Sequence, residues 1–218
     1  MSTHEDGSFT YRYPHPAVAT DIAIFTLREG RLALLLIQRG EEPFQGDWAL
    51  PGGFLRPDED LISCARRELC EEAGVEAPLL RQFGVFSAPD RDPRDRVISV
   101  AYLALLSSDR LKPQAGSDAA DARWFAVADL PALAFDHRQI VEAALAALRS
   151  VAEATDILLD LMPARFTLTR LQAAYEIVTS QVADKRNFRA RVLESGLLQE
   201  TEDMERGPHR PARIYRRV

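Results

Sequence analysis

The sequence predicts an α/β (α+β) fold, with one large mixed domain over residues 1–150 and a small domain of helices and strands over residues 151–218. Two observations lead to this expectation. Segments with the composition of strands and of helices alternate as far as about residue 150, which is typical of a mixed α/β domain. Beyond that point the order becomes helix, helix, strand, loop and strand. A length of 218 residues suits one large domain or two smaller ones.

The large domain is predicted to open with a polar extended arm, residues 1–15, followed by a hairpin. Two segments rich in Val, Ile and Leu flank Glu29-Gly30, a turn signal that favours adjacent antiparallel strands. An alanine-rich helix is predicted over residues 136–149, with Asp136 as its N-cap. The predicted strands cover residues 17–27, 31–39, 80–87, 97–106 and 122–125, with a short strand around Trp48.

Charge is distributed unevenly along the chain. Residues 163–218 carry eleven Arg and Lys against seven Asp and Glu, so their net charge is +4. The whole chain carries −6, and the remainder therefore carries −10. A basic end on an acidic protein indicates a separate task for that end, and nucleic acid is a natural polyanionic partner.

Composition argues against several classes of protein. No run of 18 apolar residues is present, so no membrane span is expected, and the N-terminus lacks the basic and apolar parts of a signal peptide. The two cysteines, Cys64 and Cys70, are too few for a disulfide framework, so a reducing cytoplasm is the expected location. The four histidines are scattered and make no zinc pattern.

Three glutamates crowd one side of a single predicted helix. A loop over residues 53–57 and an N-cap at Asp58 predict a helix over residues 59–73, on which Glu68, Glu71 and Glu72 fall within an arc of about 100°. Each such like-charged pair costs a helix roughly 0.2–0.5 kcal/mol. A divalent cation would turn this repulsion into attraction, since hard Mg²⁺ takes carboxylate oxygens. The apolar stripe of the helix is predicted to contain Leu61, Ile62, Ala65, Leu69 and Ala73.

The same segment resembles the Nudix box, Gly-x5-Glu-x7-Arg-Glu-(apolar)-x-Glu-Glu-x-Gly-(apolar). Every specified position matches: Gly53, Glu59, Arg67, Glu68, Leu69, Glu71, Glu72, Gly74 and Val75. The resemblance covers about residues 15–150 and implies the α/β/α sandwich with a mixed sheet that is typical of Nudix hydrolases. It also implies that Mg²⁺ or Mn²⁺ is held by Glu68, Glu72 and Glu71, with help from the carbonyl of Gly52. Either Glu71 or Glu72 would act as general base, whereas Glu59, Arg67, Gly53 and Gly74 would have structural roles.

ADP-ribose is the substrate that the loop after the box favours. Nudix enzymes that act on ADP-ribose commonly carry a proline about fifteen residues beyond the box, and Pro89 lies fifteen residues after Gly74. The loop also contains arginines suited to bidentate contact with phosphate. Alternatively, Pro89 is a turn residue, the arginines are solvated and Trp48 belongs to the core. The candidate ligand-binding residues are Arg39, Trp48, Pro89, Arg91, Arg94 and Arg96.

The C-terminal part has the element order of a winged helix-turn-helix. A short helix over residues 152–161 precedes a helix that begins after Thr167 and a second helix capped by Asp184. Strand-like segments follow at residues 197–201 and 212–216. The expected buried stripe of the first long helix is Leu168, Leu171, Ala174, Tyr175 and Val178, and that of the second is Phe188 and Val192.

The segments Asp184-Lys-Arg-Asn-Phe-Arg-Ala-Arg-Val-Leu and His209-Arg-Pro-Ala-Arg-Ile-Tyr-Arg resemble the DNA-binding domain of the Nudix-related transcriptional regulators, NrtR. The second long helix would enter the major groove, and the last two strands would form the wing. The alternative is a basic dimer interface or a solvated helix face. The candidate DNA contacts are Thr167, Thr169, Lys185, Arg186, Asn187, Arg189, Arg191, Arg210 and Arg213.

Two functions follow from these resemblances. In the first, the chain is a homodimeric regulator that binds a double-stranded DNA operator, while its Nudix domain binds ADP-ribose with Mg²⁺ and hydrolyses it to AMP and ribose 5-phosphate. In the second, it is a Nudix hydrolase whose C-terminal domain serves dimerisation. The box often decays in the regulator family but is intact here, so we expect both DNA binding and hydrolysis.

Overall fold

A seven-stranded mixed sheet forms the centre of the computed structural model, which describes residues 2–3, 9–10, 12–75, 79–107, 119–153, 156–206 and 211–218. Two short strands, β1 (Ser2–Thr3) and β2 (Phe9–Thr10), pair with each other ahead of it. The strands of the sheet are β3 (Ala17–Arg28), β4 (Arg31–Arg39), β5 (Trp48–Ala49), β6 (Gly52–Phe54), β7 (Arg81–Phe86), β8 (Val97–Leu105) and β9 (Ala119–Ala126).

The strand order confirms the expected mixed sheet. The path is β5-β4-β3-β8-β7, with β6 also paired to β3 and β9 to β4. Only β3 and β8 run parallel among the described pairs of this sheet. The predicted hairpin between β3 and β4 is confirmed, because Glu29 (φ 50°) and Gly30 (φ 71°) both lie in the left-handed region that a tight two-residue turn requires.

Alternate residues of β3 and β4 face two different apolar layers. Ile22 and Ile24 lie on one face of the sheet, where they pack with helix α1 (Leu61–Ala73). Ala23 and Phe25 lie on the other face, in a layer that includes helix α2 (His137–Ala152). This period-two alternation buries both faces of the sheet and gives the predicted α/β/α sandwich.

Helix α1 begins later than the sequence predicts. Its N-cap is Asp60, whose Oδ1 accepts the Ser63 N–H at 2.8 Å, and not Asp58. The helix ends as expected at Gly74, which adopts φ 60°. Ile62, predicted to be buried, is 41% exposed, and Cys64 takes a buried place beside Ala65. Both cysteines are free.

Helix α2 begins after Asp136 as predicted, but the prediction that the Asp136 side chain caps the helix is wrong. The Asp136 side chain makes no capping hydrogen bond, because its carboxylate binds Arg91 instead. The helix continues to Ala152, three residues beyond the expected end. The helix predicted over residues 152–161 is replaced, within the described residues, by a 3₁₀ helix over Ile157–Leu161.

The C-terminal part has the predicted winged-helix order. Its elements are β10 (Phe166–Thr167), α3 (Leu168–Thr179), α4 (Lys185–Glu194), β11 (Leu198–Glu205) and β12 (Ala212–Arg217). Thr167 and Asp184 cap the two helices as expected. The buried residues of both helices are those that the sequence predicts. Strand β12 lies between β10 and β11, and β11 is longer than predicted.

A continuous apolar core connects the sheet to the winged helix. Phe25 of β3, Leu148 of α2, Leu171 of α3 and Tyr215 of β12 belong to the same buried cluster. The division of the chain at residue 150 falls within α2 and stays a prediction. Across the described ranges, no helix combines the length and apolarity that crossing a membrane would need.

Candidate functional site

Two glycines make room for the glutamate helix at the sheet. A Cβ at Gly52 would lie 2.1 Å from the Thr20 carbonyl oxygen, and one at Gly53 would lie 2.3 Å from Oε1 of Glu68. Neither position can hold a side chain without displacing β3 or Glu68. The need for glycine is strict at residue 52, where a Cβ would meet the backbone of β3. At residue 53 the obstacle is the carboxylate of Glu68, which can move.

Arg67 organises the acidic face of α1. Its guanidinium donates to both carboxylate oxygens of Glu59, at 2.6 and 3.0 Å, and to Glu68 at 2.6 Å. It also reaches Glu71 at 3.0 Å and the carbonyl of Phe54 at 3.1 Å. The guanidinium beside Glu59 lowers the pKa of that carboxyl to about 2. These contacts support the orienting roles predicted for Arg67 and Glu59.

Glu72 has a different environment from its neighbours on the helix. Its Oε2 accepts the Gly52 N–H at 2.8 Å. Burial raises the pKa of Glu72 to about 8, and the charges of Glu68 and Asp21 act in the same direction. Burial also raises the pKa of Glu68. Glu72 is thus a partly buried carboxylate that, among the described residues, forms no ion pair of the kind that Arg67 forms with Glu59.

Glu68 and Glu72 are better placed to bind a hard divalent cation than the full set of three glutamates is. A cation next to these two partly buried carboxylates would offset the cost of their ionisation, and oxygen donors suit Mg²⁺ or Mn²⁺. Glu71 instead directs its carboxylate to Arg67 and to Arg56, 3.4 Å away. Within the described residues, no group of three or more His, Cys, Asp or Glu side chains converges as a ready-made metal cage. The metal and catalytic roles of Glu71 stay predictions.

Three of the predicted arginines line one small cleft with Glu72. They are Arg39, Arg91 and Arg94, and Phe54 and Phe135 line the cleft as well. The pKa of Arg39 is lowered by burial and by the charge of Arg94. Asp92 binds Arg94 through two hydrogen bonds, at 2.7 and 3.0 Å. The guanidinium groups of Arg39 and Arg94 repel each other and lie beside the carboxylates. This arrangement suits the binding of a diphosphate whose charge is shared with a divalent cation.

Arg91 also belongs to a buried polar cluster at the wall of this cleft. Its guanidinium donates to Asp136 at 2.7 and 3.0 Å and to Asp21 at 3.2 Å. Ser99 donates to the same Asp21 at 2.5 Å. The Arg91 side chain is only 4% exposed. These contacts favour a structural role for Arg91, and its predicted role as a phosphate ligand stays a prediction that they do not support.

His137 completes the cluster and has a defined tautomer. The Leu50 N–H donates to Nδ1 at 2.9 Å, so the proton lies on Nε2, which faces Oδ1 of Asp21 at 3.3 Å. Burial lowers the pKa of His137, which favours its neutral form. Sequence patterns provide no signal for Asp21 or Ser99, because each looks like an isolated polar residue in an apolar segment. They provide none for His137 either, which lies in the polar stretch Asp136-His137-Arg138-Gln139.

The other predicted ligand residues lie away from the cleft. Trp48 packs edge-on against Phe125, with ring centroids 4.7 Å apart, as part of the apolar core. Pro89 is exposed in the loop after β7. Arg96 donates to the Ala88 carbonyl at 3.2 Å and so supports the same loop. Phe135 lines the cleft although its sequence context gives no indication of a binding role.

Helix α4 presents the basic face that the sequence predicts. Lys185, Arg186, Asn187 and Arg191 are exposed. Arg189 donates to the Thr169 hydroxyl at 3.2 Å and thereby connects α4 to α3.

The remaining predicted DNA contacts have varied surroundings. Thr167 is buried as the cap of α3. Arg213 pairs with Glu200 across the strands of the wing. Arg210 lies outside the described residues.

Two family models match the chain, one over the part that contains the mixed sheet and the other over the winged-helix part. Residues 15–163 match the NUDIX domain model, and residues 158–217 match the model of the NrtR DNA-binding winged helix domain. The ADPR responsive transcriptional repressor NtrR of Acinetobacter baylyi is 38% identical over 94% of this chain and 83% of its own length. An ADP-ribose pyrophosphatase of Methanocaldococcus jannaschii is 43% identical over 60% of this chain and 73% of its own length.

Solved structures give the same division. Shewanella oneidensis NrtR complexed with a 27mer DNA superposes with a TM-score of 0.81 at 31% identity, covering 92% of this chain and 93% of the other. The NUDIX domain of Shewanella oneidensis NrtR complexed with ADP ribose superposes with a TM-score of 0.59 at 34% identity, covering 62% of this chain and 90% of the other.

Proposed function

The chain belongs to the NrtR family of Nudix-related transcriptional regulators, and we propose that it is a DNA-binding repressor that responds to ADP-ribose. The observation that carries the proposal is the continuous core between the two parts of the chain. Leu148 of α2 and Leu171 of α3 are both fully buried in it, so the sheet that carries the cleft and the helices that carry the basic face pack as one unit. Occupancy of the cleft can therefore alter the free energy of DNA binding.

The cleft is suited to the diphosphate of ADP-ribose. Arg39 and Arg94 offer donors for phosphate oxygens, and Glu68 and Glu72 would hold a divalent ion, with the Gly52 carbonyl as a further donor. When bound, that ion supplies neutralisation of the diphosphate charge and a more acidic water. The ADP-ribose-responsive repressor and the ADP-ribose pyrophosphatase to which the chain is similar support this ligand.

Hydrolysis to AMP and ribose 5-phosphate is proposed as a second activity of the same cleft. Arg67 fixes Glu68, and the Gly52 N–H fixes Glu72, so both carboxylates keep defined positions beside the diphosphate site. Glu72 is the better candidate for general base, because the Glu71 carboxylate is bound by two arginines. An intact glutamate box favours turnover over binding alone.

We propose that α4 is the recognition helix that contacts the operator. Its exposed basic residues would contact phosphates and base edges in the major groove, while the wing around Arg213 would contact the backbone. A homodimer on an inverted repeat is proposed by symmetry. A cytoplasmic location follows for a protein that binds chromosomal DNA.

The proposal is tested by measuring fluorescence anisotropy of the promoter fragment upstream of this gene, with and without ADP-ribose, while AMP release is followed in the same sample. We expect salt-sensitive, sequence-selective binding whose midpoint shifts with ADP-ribose. A scrambled fragment of equal length is the control. Equal affinity for both fragments, with AMP release intact, would favour a hydrolase whose C-terminal domain serves dimerisation.

A further inference from the structure

Val182 is the most exposed large apolar side chain among the described residues, at 95%. It lies in the turn between α3 and α4, two residues before Asp184, the N-cap of α4. Single apolar residues on a protein surface are common, so exposure alone does not indicate a function. The position of Val182 is informative, because the turn of a helix-turn-helix lies next to the start of the recognition helix.

Hydrogen bonds from α3 hold the turn that carries Val182. The Ala183 N–H donates to Oε1 of Glu176 at 3.1 Å, and the Ala183 carbonyl accepts Nε2 of Gln172 at 3.2 Å. The Gln172 amide also donates to Glu176 at 3.0 Å. Ala183 itself packs against the apolar core. Both backbone groups of the residue that follows Val182 are therefore fixed to α3, while the Val182 side chain stays in solvent.

The chain on the other side of Val182 also has a defined path. Ser180 ends α3 in the left-handed region, with φ 58°, and the Gln181 N–H donates to the Thr179 hydroxyl at 3.3 Å. Valine is branched at Cβ, so its side chain is stiff at χ1. A stiff side chain on a fixed turn loses little conformational freedom when it packs against a partner. Val182 therefore presents a ready-made apolar contact.

The charges around Val182 indicate which part of a DNA duplex it would face. Lys185 and Arg186 are exposed in the first turn of α4 and are suited to phosphates. Asp184, at the very end of the helix, accepts the Asn187 N–H at 2.8 Å, and its carboxylate would repel a phosphate. This end of α4 therefore suits base edges better than the backbone. The thymine C5-methyl is the apolar group that base edges offer in the major groove.

We propose that Val182 packs against the C5-methyl group of a thymine in the operator and is a specificity-determining residue for DNA binding. This inference rests on the proposed function, because it requires α4 to enter the major groove. It assigns part of the sequence selectivity to an apolar contact, whereas the basic residues of α4 neutralise phosphates. Since the contact involves no charge, its contribution should not change with salt.

The test compares two versions of the promoter fragment upstream of this gene by fluorescence anisotropy. One is natural, and the other carries deoxyuridine at every thymine position, which removes only the C5-methyl groups. For each protein, the dissociation constant of the uracil fragment divided by that of the natural fragment reports what the methyl groups contribute. We expect this ratio to be larger for the unmodified protein than for Val182→Ala. The difference should be about fourfold for each subunit that makes the contact, the effect of burying one methyl-sized group.

Two further variants control the comparison. Val182→Ile keeps a branched apolar side chain and should keep the ratio of the unmodified protein. Val85→Ala removes an exposed valine of β7, which is 55% exposed, and should leave both dissociation constants unchanged. Equal ratios for the unmodified protein and Val182→Ala would overturn the proposal. So would a change in the sedimentation of DNA-free Val182→Ala, because Val182 would then contact another copy of the chain.

The same titrations separate this contact from the proposed function. If the unmodified protein binds the natural fragment selectively but Val182→Ala has the same ratio, the contact is refuted and the regulator stands. If the unmodified protein does not distinguish the natural fragment from a scrambled one of equal length, the regulator is refuted and the contact with it.

Discussion

Arg91 and Asp136 form a bidentate ion pair, with Nε to Oδ2 at 3.0 Å and Nη2 to Oδ1 at 2.7 Å. The pair joins the loop after β7 to the start of α2, across 45 positions of the chain. Since Asp21 of β3 contacts the same guanidinium, three separate segments meet at one buried cation. The loop that borders the cleft is therefore fixed to the helix that packs against the winged helix.

Removing this cation should destabilise the protein strongly. Arg91→Ala leaves Asp21 and Asp136 without their shared cationic partner, and we expect the free energy of unfolding to fall by about 3–5 kcal/mol, measured by chemical denaturation. Arg66→Ala, at an exposed position of α1, should change it by less than about 0.5 kcal/mol. A stable Arg91→Ala protein that no longer binds pyrophosphate would favour the phosphate role that the sequence suggested.

Glu72→Gln should abolish turnover of ADP-ribose. The substitution removes the ionisable group that is buried beside Gly52, and a decrease of about 10²–10⁴ in kcat is expected of a general base. Glu71→Gln is the matched variant, and its effect should be smaller, because that carboxylate serves Arg56 and Arg67. Release of AMP in the presence of Mg²⁺ is the measurement. Full turnover by Glu72→Gln would contradict the assignment.

Helix α4 should carry the dependence of DNA affinity on salt. Combining Arg186→Ala with Arg189→Ala should weaken operator binding, and the slope of log affinity against log salt should decrease by about 0.9 for each phosphate that the protein no longer neutralises. Anisotropy titrations over a series of salt concentrations measure both quantities. Arg149→Ala, in the last turn of α2, is the control and should leave the slope unchanged. An unchanged slope in the double variant would place the DNA-binding surface elsewhere.

His137 should make stability depend on pH. Burial lowers its folded-state pKa below the unfolded value of about 6.5, so the unfolded state binds the proton more readily. The stabilising contribution of neutral His137 is present above about pH 6.5 and is lost as pH falls towards the lower folded pKa, by up to about 1.4 kcal/mol per pH unit.

Denaturation curves at several pH values test this dependence. His137→Gln should flatten the profile between neutral and mildly acidic pH, although the variant also removes the imidazole that faces Asp21. Arg66→Gln, at an exposed position of α1, changes no group that titrates near neutral pH and should reproduce the shape of the profile of the unmodified protein. A profile that His137→Gln leaves unaltered would show that another group titrates in this range.

Sequence patterns were most informative where a local rule decides the structure. The stripe from Leu168 to Val178 and the caps at Thr167 and Asp184 depend on neighbours within one helical turn, and all of them are confirmed. The turn at Glu29-Gly30 and the end of α1 at Gly74 are confirmed for the same reason.

Predictions were weakest where partners are distant in sequence. Arg91 looked like a free loop arginine, because nothing near it in the chain reveals that Asp21 and Asp136 lie beside it. Asp136 looked like a helix cap for the same reason. The sequence around Phe135 does not predict that it lines the cleft. Its position depends on a strained backbone and on contacts with Arg39 and Phe44, which belong to another part of the chain.

The apolar core that runs from Phe25 through Leu148 to Tyr215 has a consequence for protein engineering. A cut at residue 150 would expose apolar surface on both fragments. The ligand-binding and DNA-binding parts therefore cannot be exchanged between proteins as independent modules. A chimaera that joins this cleft to another DNA-binding domain would have to preserve the packing of α2 against α3. Biosensors built on this scaffold should therefore retain α2 and α3 together as one unit.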